Sequence, residues 1–124
     1  MKIVLQAISI FLMIAIIGCS KKEDDIAPPE EIYTKFPPPD WKVDESGKYP
    51  FSMTAAVTIP AKLQLQMNDN DQIAAFINEE CRGKGVKIKV DSVDVFFILV
   101  RGLADEQKKI TFKYYSAKSS YIYQ

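Results

Sequence analysis

The sequence has no histidine. That absence removes the commonest general base and the commonest metal-ligating side chain together. Cysteine is scarce, with only Cys19 and Cys81 in 124 residues. No Ser/His/Asp arrangement, Gly-rich phosphate loop or carboxylate pair in an apolar setting occurs, so the chain reads as non-catalytic, with no cofactor and no metal site. An excess of one charge is missing as well: 16 basic residues face 16 acidic ones. Without Met1 to Gly18 the basic total falls by Lys2 to 15 against 16 acidic, a net charge of −1. Such a balance gives no basic face for nucleic acid, which is excluded as a partner. The length predicts a single domain.

What is present begins with Lys2 and an apolar run from Ile3 to Ile17, broken only by Gln6 and Ser9. This is the n-region and h-region of a signal peptide. A membrane-spanning helix needs about 20 apolar residues, and the charged sequence after Cys19 ends the run too soon. The stretch Ile16-Ile17-Gly18-Cys19 resembles the lipobox of bacterial lipoproteins, although Ile16 stands where leucine is more usual. The resemblance implies removal of residues 1–18, a diacylglyceryl (palmitate-type) modification on the Cys19 thiol, and acylation of the freed amine. Two or three chains anchor a protein where one holds it only marginally. An ordinary signal peptide with an incidental cysteine is the alternative. With Cys19 lipidated, Cys81 has no partner for an intramolecular disulfide.

Lys21, Lys22, Glu23, Asp24 and Asp25 follow directly. This lysine-then-acidic run resembles the surface-export signal of Bacteroidota lipoproteins, which implies an outer-membrane protein facing the cell exterior. A solvated start to a tether is the plainer alternative. Residues 19–40 carry Pro28, Pro29, Pro37, Pro38 and Pro39 and read as a flexible, extended tether. At about 3.1 Å per residue it spans roughly 60 Å. Ile32, Tyr33 and Phe36 are candidates to dock on the domain.

Residues 41–124 alternate and turn. Met53, Ala55, Val57 and Ile59 recur at period two, and Pro60 ends the run. Leu63-Gln64-Leu65-Gln66-Met67 alternates strictly and predicts a half-buried strand. Asn68 to Asp71 is a turn. Ile73–Ile77, a turn at Asn78–Glu80, Val86–Val90, Val93–Arg101, Ile110–Tyr115 and Ser120–Tyr123 complete about seven short strands. The apolar Val95 to Val100 predicts a strand covered on both faces. Such spacing predicts an all-β, small immunoglobulin-like β-sandwich.

The most specific internal feature runs from Asp71 through Ile73-Ala74-Ala75-Phe76 to Glu80-Cys81-Arg82-Gly83. With Trp41, Tyr49, Ser52-Met53-Thr54 and Ile110-Thr111-Phe112-Lys113, it resembles a β-sandwich module of secreted and surface proteins of the Bacteroidota. The resemblance implies the fold and the address, and carries no catalytic activity. Gly83 is expected to take φ > 0 at the end of a hairpin. Arg82 beside Glu79 and Glu80, with Asp71 across the strand pair, suggests a forked carboxylate bond. An Arg-centred ligand site is one reading; an ion pair pinning a hairpin is preferred, because structural networks give the same pattern. Cys81 reads as a small buried hydrophobe. Counting from Asp69, carboxylates at Asp69, Asp71 and Glu80 suggest calcium, but Ile73 and Ala74 stand where that loop needs an oxygen ligand and a glycine.

Trp41, Tyr49, Tyr114, Tyr115, Tyr121 and Tyr123 are candidates to stack on sugar rings, although strands favour aromatics in any case. The expected function is a non-catalytic, membrane-anchored surface lipoprotein acting as a binding or adhesion module for a glycan or protein ligand. The alternative is a structural accessory subunit of an envelope or secretion complex, acting through sheet-edge pairing.

Overall fold

A computed structural model describes residues 33–124. The expected signal peptide, the lipidation site Cys19 and the export run Lys21 to Asp25 lie outside the described residues. Within them the chain is nearly all β: β1 (Phe51–Thr58), a short helix α1 (Ala61–Gln64), β2 (Gln72–Ile77), β3 (Glu80–Val90), β4 (Val93–Gly102), β5 (Thr111–Ser116) and β6 (Tyr121–Tyr123). No helix among the described residues is long and apolar enough to cross a membrane.

The six strands form one antiparallel sheet in the order β1-β4-β3-β2-β5-β6. The sheet folds over on itself. Two strands separate β4 from β5, so a flat sheet would hold them roughly 14 Å apart. Yet the Phe96 ring on β4 and the Tyr114 ring on β5 have centroids 6.2 Å apart. The fold line is β3, which pairs with β2 up to Lys84 and with β4 from Gly85 onward. Glycine is required there: a Cβ on Gly83 would strike the Leu99 carbonyl oxygen, and one on Gly85 would strike the Ile73 side chain. The result is a small sandwich-like domain. Between its layers lie Ile59, Ile73, Ala75, Phe96, Ile98, Val100 and Tyr114.

Four expectations need correction. The predicted strand Leu63–Met67 is replaced by α1 and a turn, leaving six strands rather than about seven. A strand would place Leu63, Leu65 and Met67 on one face, whereas a helical turn brings only i and i+4 together. Leu63 and Met67 pack on the core and Leu65 is 90% exposed. Pro60 starts the helix, its carbonyl accepting from the Leu63 and Gln64 amides, and the Gln64 side chain donates to Ile59 O at 2.7 Å.

Gly83 is not a turn residue. The two-residue hairpin turn is Asn78-Glu79, with φ of 49° and 63°, the left-handed pair that matches strand twist. The strand covered on both faces is β2 rather than β4: Ala74 and Phe76 point away from the main core and are covered by Trp41 and Val43. On β4 the outward Leu99 is 50% exposed. An apolar run fixes which residues are apolar but not what lies over them.

Candidate binding site

The fourth correction concerns Asp71 and Arg82, which the fold keeps apart. Arg82 follows the Cys81 position that faces Phe76, whereas Asp71 precedes β2 at its far end. At about 3.3 Å per residue this separates them by roughly 15 Å. Asp71 instead accepts from the Tyr114 hydroxyl at 2.6 Å, the Ala117 amide at 2.8 Å and the Asn68 amide at 2.8 Å. It ties the turn before β2 to the end of β5. Burial and then the Asp71 hydrogen bond raise the Tyr114 phenol well above its ordinary range.

Arg82 is buried, and its guanidinium forks onto Glu106, with Nη2 to Oε1 at 2.8 Å and Nη1 to Oε2 at 3.2 Å. Nη1 also donates to Arg101 O at 3.3 Å. Nε lies 3.5 Å from Glu80 Oε2, an ionic contact without a hydrogen bond. The guanidinium carbon sits 3.5 Å from the Tyr49 ring centroid. Tyr49 in turn donates to Glu80, and Lys48 Nζ lies 3.3 Å from it. The Tyr49 hydroxyl, chiefly, holds Glu80 below its usual carboxylate range, and Arg82 does the same for Glu106. Glu79 turns away to Lys113. A charge so enclosed, with its fork already occupied, pins elements together and leaves no face for a ligand. Glu106 was invisible in sequence as a partner, because it stands in a polar loop 24 residues away.

Cys81 is buried beside Ala74 and Phe76, and burial pushes its thiol pKa up. Asp69, Asp71 and Glu80 each have separate partners, namely Lys87, Tyr114 and Tyr49. Among the described residues no group of three His, Cys, Asp or Glu side chains is placed to hold a metal.

The six candidate aromatics sort into two sets. Tyr49, Tyr114 and Tyr115 are buried. Trp41, Tyr121 and Tyr123 are half-buried and line one open cleft of about 930 Å³ with Tyr33, Phe36, Thr34, Lys113, Ile122 and Gln124. Strand alternation puts Tyr121 and Tyr123 on the same side of β6, with rings 4.9 Å apart and nearly perpendicular. Tyr33 and Phe36 stand edge-on to Tyr121 at 5.2 and 6.3 Å. The segment carrying them is fixed by the Phe36 amide donating to Ser120 O at 2.7 Å. Pro37 to Pro39, which have no amide hydrogen to satisfy, then lead the chain to Trp41. Its ring meets Phe76 edge-on at 5.5 Å, and Lys113 Nζ lies 4.7 Å from the Phe76 ring centroid.

A second opening of about 380 Å³ lies at one end of the layers, between Phe51, Met53, Ile77, Val100 and Ile110 and under the 103–108 loop. Its Glu106 is already occupied by Arg82 and the Leu103 amide. The aromatic cleft, where five aromatic side chains line one opening, is the better candidate. Comparison with protein-family models, curated proteins and solved structures gives no match.

Proposed function

We propose that this protein is a non-catalytic, lipid-anchored surface lipoprotein whose sandwich domain binds glycan in the aromatic cleft. The observation that carries the reading is the gathering of Tyr33, Phe36, Trp41, Tyr121 and Tyr123 around one open groove. Pyranose rings present apolar C–H faces and polar rims. Aromatic surfaces meet the first, and the tyrosine hydroxyls, Thr34 and the Gln124 amide suit the second. Lys113 is already neutralised by Glu79, so a neutral oligosaccharide fits better than an acidic one. An open cleft that encloses a ligand on few sides gives weak affinity per site. The anchor is supported by the lipobox-like Ile16-Ile17-Gly18-Cys19, and the outward address by Lys21 to Asp25.

A second reading, an accessory subunit of an envelope complex, is favoured by the uncharged free edge of β1. Two measurements separate the parts of the proposal. Cells making the wild-type chain should incorporate labelled palmitate into it, and those making Cys19→Ser should not. The wild-type chain should be retained on insoluble neutral polysaccharide, and Tyr121→Ala with Tyr123→Ala should lose that retention. Retention unaffected by the double substitution contradicts the cleft as the site.

A further inference from the structure

Among the described residues the outer edges of β1 and β6 and the distal half of β3 lack a strand neighbour, and they are not treated alike. β6 is three residues long and is flanked by the Phe36 amide bonded to Ser120. The free edge of β3 beyond Lys84 carries Lys87 and Lys89. Short length and lysines are the devices by which proteins keep sheet edges from pairing. β1 has neither. Phe51-Ser52-Met53-Thr54-Ala55-Ala56-Val57-Thr58 contains no charge and no proline, and it pairs with β4 in unbroken register without a bulge.

We infer that the β1 edge pairs antiparallel with β1 of a second copy of this chain, about a twofold axis at Thr54. A twofold axis perpendicular to a sheet joins strands antiparallel and keeps inner face with inner face. With Thr54 opposite Thr54 of the second copy, Phe51 lies opposite Val57, Ser52 opposite Ala56, and Met53 opposite Ala55. Aromatic with β-branched and Thr with Thr are favourable cross-strand pairs. No like charges are opposed anywhere along the strand. The register also covers Phe51 and Met53, which are 58% and 53% exposed in the single copy. Centring on Ala55 instead would set Phe51 opposite Ile59, which lies beyond the strand and is buried. This self-complementarity is what selects a second copy over an unrelated strand. The sheet folds over, so Val57 and Thr58 of β1 share an opening with Tyr123 of β6 and the adjoining Gln124.

Opposed residues in an antiparallel pair have Cα atoms about 4.5–5.5 Å apart, within disulfide range. Thr54 faces outward and is exposed, so substitution there leaves the core intact. The full-length chain, expressed in bacterial cells and mildly oxidised, should form several-fold more covalent dimer as Thr54→Cys than as wild type. Ser52→Cys, on the same edge but displaced from its own copy across the axis, should not exceed wild type. In detergent, the wild-type chain should sediment as a dimer and Thr54→Lys as a monomer with an unchanged melting midpoint. Equal dimer from Ser52→Cys and Thr54→Cys, a Thr54→Cys adduct with a different protein, or a wild-type monomer at all concentrations each overturns the inference.

Discussion

Arg82 and Glu106 join β3 to the 103–108 loop through two parallel hydrogen bonds of 2.8 and 3.2 Å. The pair stands over Tyr49, whose hydroxyl bonds Glu80, so one buried cation connects the segment before β1, the hairpin and the loop after β4. Arg82→Ala removes the fork, the donor to Arg101 O and the ring contact together. Its melting midpoint should fall by roughly 5–10 °C, while Lys118→Ala, at an exposed turn position, should scarcely move it. Equal shifts for the two would place Arg82 outside any structural role.

The same network sets an acid limit. Glu80 and Glu106 are both held below their ordinary values in the folded chain, by the Tyr49 hydroxyl and by Arg82 respectively. A carboxylate depressed on folding contributes stability that is present above its unfolded pKa and is lost as pH falls through the folded one. The midpoint should therefore be level near neutrality and drop below about pH 4.5. Glu106→Gln should flatten that drop. A profile identical to wild type in this variant would show that Glu106 does not couple to folding.

Cys81 should be inert. Its thiol is buried and its ionisation is disfavoured, and thiol reactivity requires the thiolate. Under native conditions a water-soluble disulfide reagent should leave Cys81 unmodified for as long as the domain stays folded, and denaturant should release it. Rapid native modification would contradict its place beneath Trp41 and Val43.

Much of the fold was legible because alternation and turn chemistry agree locally. Ile73 to Ile77, Val86 to Val90 and Ile110 to Tyr115 read as strands and, Ile110 apart, are strands, and Asn78-Glu79 turns where expected. Leu63 to Met67 failed because five alternating residues also satisfy an i, i+4 pair, and Pro60 decides the local conformation. Leu65→Lys should thus be nearly neutral and Leu63→Lys clearly destabilising in thermal melts; equal costs would restore the strand. The site was less legible. Trp41, Tyr121 and Tyr123 stood among the candidate aromatics, but separating them from Tyr49, Tyr114 and Tyr115 requires knowing that β6 is an edge strand. Arg82 was recognisable as an ion-pair former, yet its partner lies across the fold, where spacing carries no information.

The most direct test of the cleft uses Trp41, the only tryptophan in the chain. Trp41 lines the cleft and packs edge-on against Phe76, so its emission responds to a ligand bound there. Titration of the full-length protein in detergent with neutral cello-, xylo- and manno-oligosaccharides should give a saturable change in Trp41 emission for at least one of them. Tyr121→Ala should weaken that response about tenfold or more, in keeping with the loss of a principal stacking ring, with the melting midpoint little changed. Emission that stays constant with every oligosaccharide, or a response of equal affinity in Tyr121→Ala, would contradict glycan binding in the cleft.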